Sequence, residues 1–106
     1  MSDLFDDRLA GFVCGAFGIE REDLLGPRKF ASYAEARAFF VHAARDRYPA
    51  RSHGEIGRML GGRDSSTIRA LAAKADRLME QGGRFADLVA SFQSYERSKG
   101  ELHAIH

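Results

Sequence analysis

The stretch that decides the fold runs from Ser52 to Lys74 and reads SHGEIGRMLGGRDSSTIRALAAK. Its first four residues, from Ser52 to Glu55, are typical of a capping box that starts a short helix, and the paired glycines 61–62 are typical of a turn that ends it. Asp64 is a favourable N-cap for a second, longer helix whose apolar side chains recur with helical period. Two helices joined by a short glycine turn have the layout of a helix-turn-helix.

Helical periodicity continues on both sides of this motif. The flanking segments carry apolar stripes at helical spacing, and glycine or proline punctuates most of them. The further predicted helices are one that ends at Gly18, a short one at 20–25, one over 33–48 and one over 84–97. The tail after Gly100 is expected to fray. Because no segment alternates polar and apolar residues as a strand would, the predicted fold class is all-α.

The composition is that of one globular domain, with 106 residues, 44% of them hydrophobic and 29% charged. No apolar run is long enough to span a membrane, and the N-terminus lacks the pattern of a signal peptide. The single cysteine, Cys14, cannot form an internal disulfide, so we expect a reducing, cytoplasmic compartment. Cys14 and the four histidines lack the spacing of a metal site, and a phosphate-cradling glycine loop is missing. We therefore predict no enzyme activity, no metal and no cofactor.

Charge is balanced over the whole chain, at a formal net +1, but it is uneven along the sequence. Residues 1–25 carry two basic and six acidic side chains, whereas residues 26–51 carry six basic and two acidic ones. The second segment therefore offers a surface that could face an anion, although a solvated helix face is the alternative interpretation of such a cluster. Its six cations are Arg28, Lys29, Arg37, Arg45, Arg47 and Arg51.

In a helix-turn-helix, the first residues of the second helix lie against base edges in the major groove of DNA. In this sequence those residues are Asp64, Ser65, Ser66 and Thr67. Their hydroxyls can bond to base edges and phosphates, and the carboxylate can accept from cytosine N4. Free N–H groups at the helix start would also favour a phosphate, whereas capping alone is the alternative role for Asp64 and Ser65. Three further cations could hold the DNA backbone: Arg63, Arg69 and Lys74.

The run from Glu55 to Leu78, EIGRMLGGRDSSTIRALAAKADRL, resembles the C-terminal DNA-binding domain of the bacterial replication initiator DnaA. That family carries a signature close to EIGxxFGGRDHTTVxHAxxKI. Upstream, residues 17–25 resemble the family's entry segment, and Arg28 and Lys29 fall on its basic loop. The resemblance is clearest over residues 9–80. We therefore assign residues 1–80 to the family-like domain and residues 81–106 to an appended C-terminal helix and tail.

The resemblance implies a Trp-repressor-like helix-turn-helix bundle, extended here by the extra C-terminal helix. In the family, the basic loop reaches a minor groove while the recognition helix reads the adjoining major groove. Lys29 falls where the family usually has the minor-groove arginine. Arg37 would hold a phosphate, and Arg45 lies near a second basic family position. Ser65 and Ser66 replace a histidine and a threonine, so the preferred DNA site is expected to differ from that of the initiator.

The resemblance therefore implies a sequence-specific binder of double-stranded DNA, associated with the nucleoid, that regulates replication initiation or occupies initiator-type sites. The family's ATPase module is missing from these residues, so we expect a free-standing relative that binds no nucleotide. The alternative is an interaction module that kept the fold and lost DNA binding, with a homodimer or a replication protein as its partner. An exposed Phe39 would support that alternative, although a core position is the favoured interpretation of this residue.

Overall fold

The computed structural model describes residues 4–105 of the chain, with side chains as far as Lys99. The described part contains six helices and no strand, which confirms the all-α prediction. The helices are α1 (Leu4–Phe17), α2 (Arg21–Leu25), α3 (Ala31–Arg47), α4 (His53–Met59), α5 (Ser65–Gln81) and α6 (Arg84–Ile105). Within this range, no helix combines the length and the apolar character that a membrane crossing requires.

Local signals in the sequence mark the end of α1 and the starts of α4 and α5. Gly18 follows α1 with a φ of 64°, a value that glycine adopts without strain. Ser52 and Glu55 form the predicted capping box at the start of α4. The side chain of Asp64 accepts a hydrogen bond from the Thr67 amide and so caps α5 as predicted. The caps on both helices of the motif are therefore confirmed.

The last helix is longer than the sequence indicated. We expected it over 84–97 with a fraying tail after Gly100, but α6 continues to Ile105. The expectation was wrong because one glycine costs a helix only about 1 kcal/mol, and no proline follows to end it.

A cluster of aromatic rings joins α1, α3 and α6. Phe39 lies at its centre with 0% of its surface exposed, which confirms the favoured core position. Its ring centroid lies 5.7 Å from those of Phe12 and Phe85, and 6.2 Å from that of Phe92. Phe5 packs on Phe92 at 5.8 Å. The appended helix α6 therefore shares one core with α1 and α3.

The turn between α4 and α5 wraps around one backbone oxygen. The amides of Leu60, Gly62 and Arg63 all donate to the Gly57 carbonyl, at 3.1, 2.9 and 3.0 Å. A Cβ atom on residue 57 would lie 1.9 Å from the Arg63 carbonyl oxygen, so only glycine fits there. Gly61 and Gly62 have φ values of 78° and 81°, in the left-handed region that favours glycine. The paired glycines thus make the sharp turn that the motif requires.

Arg37 holds the loop between α2 and α3 (residues 26–30, hereafter the basic loop). Only 4% of its surface is exposed. Its Nε donates to the Leu24 carbonyl at 2.9 Å, and its Nη1 donates to the Arg28 carbonyl at 2.6 Å. Its Nη2 donates to the carbonyls of Asp23 and Gly26, at 2.7 and 2.8 Å. Because the carbonyls at a helix end lack partners within the helix, Arg37 supplies donors that the short α2 needs.

Arg63 fastens the same loop to the helix-turn-helix. Its Nη1 donates to the carbonyls of Leu60 and Leu25, at 2.6 and 3.3 Å, and its Nη2 donates to the Gly26 carbonyl. A Cβ atom on Gly61 would lie 2.1 Å from the Leu25 oxygen, so the turn and the end of α2 touch backbone to backbone. The basic loop and α5 are therefore fixed relative to each other.

The close contact at Gly57 predicts that Gly57→Ala destabilises the protein. We expect the free energy of unfolding, measured with urea, to fall by about 1–3 kcal/mol or more, since the new methyl group overpacks a fixed backbone. Gly54→Ala, in the same helix, is the control because its Cβ would meet only the Ser52 hydroxyl, at 3.8 Å. That variant should be unchanged or more stable, by up to about 1 kcal/mol. If the two substitutions change the free energy of unfolding equally, the close contact at Gly57 is contradicted.

The four bonds of Arg37 predict that Arg37→Met lowers the free energy of unfolding. Each buried carbonyl left without its donor costs about 1–3 kcal/mol, while the methionine keeps most of the apolar volume. Arg45→Met on the exposed side of α3 is the control, and it should change the stability by less than about 0.5 kcal/mol. If both variants unfold at the wild-type urea concentration, Arg37 does not secure the loop.

Candidate nucleic-acid interface

The start of α5 projects into solvent. Asp64, Ser65, Ser66 and Thr67 are all exposed, whereas the next residue, Ile68, is fully buried. Buried Ile68 anchors the first turn on the core, so the polar side chains around it face outward from a fixed helix. The four residues proposed to meet base edges are therefore accessible.

Asp64 caps the helix in addition to being exposed. Its Oδ1 accepts the Thr67 amide at 2.8 Å and the Ser66 hydroxyl at 3.1 Å. Bonds from Thr67 and Ser66 hold the pKa of the Asp64 carboxyl below its usual value, so the group is ionised at neutral pH. The expectation of free N–H groups that would favour a phosphate here is only partly met, because one of them already bonds to a carboxylate.

A cleft of about 490 Å³ separates the basic loop from the start of α5. Lys29 lines one side and Thr67 lines the other, although the two are far apart in the sequence. Leu25, Pro27, Ala34 and Leu71 contribute apolar surface, and Gly61 belongs to the turn. The structure thus brings the predicted minor-groove cation and the predicted major-groove hydroxyl to the same cleft.

The remaining cations of this face differ in exposure. Arg28 and Lys29 on the basic loop are exposed, as is Arg69 on α5. Arg69 follows Ser65 by about one helical turn. Lys74 is half-buried and follows Thr67 by about two turns. The basic loop and α5 therefore both carry positive charge that is exposed or half-exposed.

Two of the predicted DNA-contacting arginines, Arg37 and Arg63, also line this cleft, but their guanidinium groups bond to backbone carbonyls. Arg37 was expected to hold a phosphate, but its guanidinium is buried and bonds to backbone carbonyls of α2 and the basic loop. Burial and the charge of Arg63 lower the pKa of Arg37, and burial lowers that of Arg63. Both groups nevertheless stay protonated, since arginine loses its proton only far above neutral pH. These bonds of Arg37, together with those of half-buried Arg63, fix the loop that carries Lys29.

Arg45 lies apart from the cleft. It is exposed near the end of α3, about 12 Å along the helix from Arg37. There it lines a different cleft with Arg51, His53 and Asp76. The structure therefore does not bring Arg45 together with Lys29 and Thr67, and its contact with DNA stays a prediction.

Phe30 is a residue of this face that the sequence reasoning missed. It ends the basic loop, directly after Lys29, and 56% of its surface is exposed. The sequence held one signal, since a phenylalanine stands in the position before α3 where a polar capping residue is favoured. That signal becomes readable only when the helix start is placed at Ala31, two residues before the predicted one.

Comparison with known proteins independently supports the helix-turn-helix interpretation. The family described as "Bacterial dnaA protein helix-turn-helix" matches residues 7–74. The chromosomal replication initiator protein DnaA of Roseobacter denitrificans is 32% identical over 75 residues, which cover 71% of this chain and 16% of that protein. DnaA of Cereibacter sphaeroides is 35% identical over the same lengths, and DnaA of Sphingopyxis alaskensis is 36% identical over 62 residues, 58% of this chain and 14% of that protein.

The chain thus spans about one sixth of the length of the relatives it matches. The match includes the basic loop, the turn at Gly57 and the exposed start of α5. A domain of this type binds DNA and is not itself catalytic. The chain therefore belongs to the bacterial DnaA helix-turn-helix family, and this membership implies DNA binding related to the initiation of replication.

Proposed function

We propose that this chain binds double-stranded DNA sequence-specifically, with the start of α5 in the major groove and the basic loop in the adjoining minor groove. The observation that carries the proposal is the cleft that Lys29 and Thr67 share. A helix and a cationic arm on one face can read two neighbouring grooves together, as in other helix-turn-helix proteins. The buried bonds of Arg37 and Arg63 support it further, because they hold the arm and the helix at a fixed separation.

The residues have distinct roles in this proposal. Base edges meet the side chains of Asp64, Ser65, Ser66 and Thr67. Lys29 enters the minor groove, where a narrow A·T-rich stretch attracts a cation. The flanking phosphates are held by Arg28, Arg69 and Lys74. Arg37 and Arg63 act on DNA only through the loop they position.

The proposed targets are sites of the initiator type, and the proposed role is the regulation of replication initiation. The relatives support this choice because all three are chromosomal replication initiator proteins. Two serines at the start of α5 give the chain its own base preference. The proposal also places the protein with the nucleoid.

The second candidate is a protein-interaction module that no longer binds DNA. Its expected support, an exposed aromatic at Phe39, is absent, because that ring is fully buried. The accessible cations of the basic loop favour DNA instead. Fluorescence anisotropy with duplex DNA separates the two, since an interaction module would not bind at low salt.

The position of Thr67 predicts that Thr67→Ala relaxes base specificity. Selection from random duplex DNA should give a consensus for the wild type and lose preference at one or two base pairs for the variant, because each base contact contributes about 1–3 kcal/mol of discrimination. Ser91→Ala, which removes an exposed hydroxyl on α6, is the control and should keep the wild-type consensus. An unchanged consensus with Thr67→Ala would remove α5 from base recognition.

The exposed ammonium of Lys29 predicts a measurable change in salt dependence. Lys29→Ala should weaken binding and reduce the slope of log K against log salt by about 1 between about 50 and 200 mM salt, since one cation that releases counterions from the DNA is lost. Arg97→Ala changes the net charge equally but on the exposed side of α6, and its slope should match the wild type. Identical slopes for both variants would show that the basic loop stays outside the complex.

A further inference from the structure

Phe30 is an exposed aromatic ring at the end of the basic loop. Its two predecessors in the chain, Arg28 and Lys29, are exposed cations, and 56% of its own surface is open to solvent. The other large apolar side chains found exposed among the described residues are Leu4, Leu25 and Tyr95. Of these four, Phe30 directly follows Arg28 and Lys29 in the chain and is more exposed than Leu25, which lines the cleft with Lys29.

The fold itself does not account for Phe30. The residue occupies the N-cap position of α3 with φ −71° and ψ 150°, and its side chain makes no capping hydrogen bond. Serine, threonine, aspartate and asparagine stabilise helices at this position, whereas phenylalanine does not. The ring is also too exposed to contribute much to the core. A residue that serves neither the helix nor the core is typical of a functional position.

The ring is nevertheless held in place. It packs edge-on against Tyr33, with centroids 5.2 Å apart and planes at 80°. The Tyr33 ring lies 5.7 Å below the guanidinium of Arg37, which bonds to the Arg28 carbonyl at 2.6 Å. Buried Arg37 thus supports both the loop before Phe30 and the ring behind it. Phe30 is therefore a supported apolar projection that points away from the core.

We infer that Phe30 enters the minor groove beside Lys29 and wedges against a base step. This inference rests on the proposed function and adds a residue that determines where on the DNA the loop can sit. Apolar side chains of minor-groove proteins insert between base steps and partly unstack them, while neighbouring cations hold the phosphates. Arg28 and Lys29 would supply those cations here.

Such a wedge reads the deformability of DNA. Pyrimidine–purine steps such as TA and CA unstack most easily, so they cost the least free energy when a ring is inserted. We therefore expect a flexible step beside the A·T-rich stretch that Lys29 occupies. The protein would then select this position without a hydrogen bond to any base.

The test uses the full chain and a duplex taken from the selection experiment, with 2-aminopurine replacing adenine at each position of the minor-groove segment in turn. Fluorescence of 2-aminopurine rises when its base unstacks. Four proteins are compared: the wild type, Phe30→Ala, Phe30→Leu and the control Tyr95→Ala. Tyr95 is an aromatic on α6 with 37% of its surface exposed, so its removal controls for the loss of an exposed ring. Thermal unfolding shows whether each variant keeps its fold.

We expect wild-type binding to raise the fluorescence at one step. Phe30→Ala should lose that rise and weaken binding roughly tenfold or more, as for the loss of a ring stacked on a base. Its salt slope should equal that of the wild type, because no charge is removed. Phe30→Leu should keep part of the rise, and Tyr95→Ala should keep all of it.

Four results would overturn the inference. If Phe30→Ala binds as tightly as the wild type, or if no position brightens while the wild type binds, then the ring does not wedge, and the proposed function stands without it. If Phe30→Ala changes the salt slope as Lys29→Ala does, the loss of binding affinity reflects a displaced cation and not the missing ring. If the wild type does not bind duplex DNA at low salt, the proposed function fails and the wedge fails with it.

Discussion

The relative position of the basic loop and the helix-turn-helix depends on two guanidinium groups that bond to backbone carbonyls. A cation removed from water needs compensating partners, and carbonyl oxygens at a helix end carry the partial negative charge that provides them. Arg37 and Arg63 together bond to six such oxygens, those of Asp23, Leu24, Leu25, Gly26, Arg28 and Leu60. The planar, five-donor shape of arginine makes this possible, whereas lysine presents a single point of charge. One short helix and one loop are thereby fixed beside the helix-turn-helix.

This arrangement separates four cations, two on the basic loop and two that hold it, by what their side chains contact. The guanidinium groups of Arg37 and Arg63 bond to backbone carbonyls within the protein. The side chains of Arg28 and Lys29 are exposed to solvent. The positive balance of residues 26–51 therefore overstates the charge available to a polyanion. In return, the loop is ordered before DNA arrives, and ordering it costs less free energy at the moment of binding.

The features that were predicted correctly from the sequence are those that local signals determine. The capping residues Ser52 and Asp64 and the paired glycines located α4, the turn and α5, because each acts within four residues of its own position. The hydrogen-bond partners of Arg37 could not be predicted from local signals, since they depend on which carbonyls a distant helix leaves without partners. The start of α3 was misplaced by two residues for lack of a polar cap, and that error concealed the exposure of Phe30. The length of α6 was missed because a single glycine is a weak signal for a helix end.

The ionised carboxylate of Asp64 has a consequence for how a target is chosen. The carboxylate lies at the exposed start of α5, where it accepts a hydrogen bond from the Thr67 amide. In the proposed complex, guanine, thymine and the phosphates would offer this carboxylate only acceptor oxygen and nitrogen or a methyl group, whereas the amino groups of cytosine and adenine could donate to it. In the proposed complex, discrimination at this position would come from disfavouring sequences that lack such an amino group, and this selectivity would not depend on strong attractive contacts of the neighbouring serines.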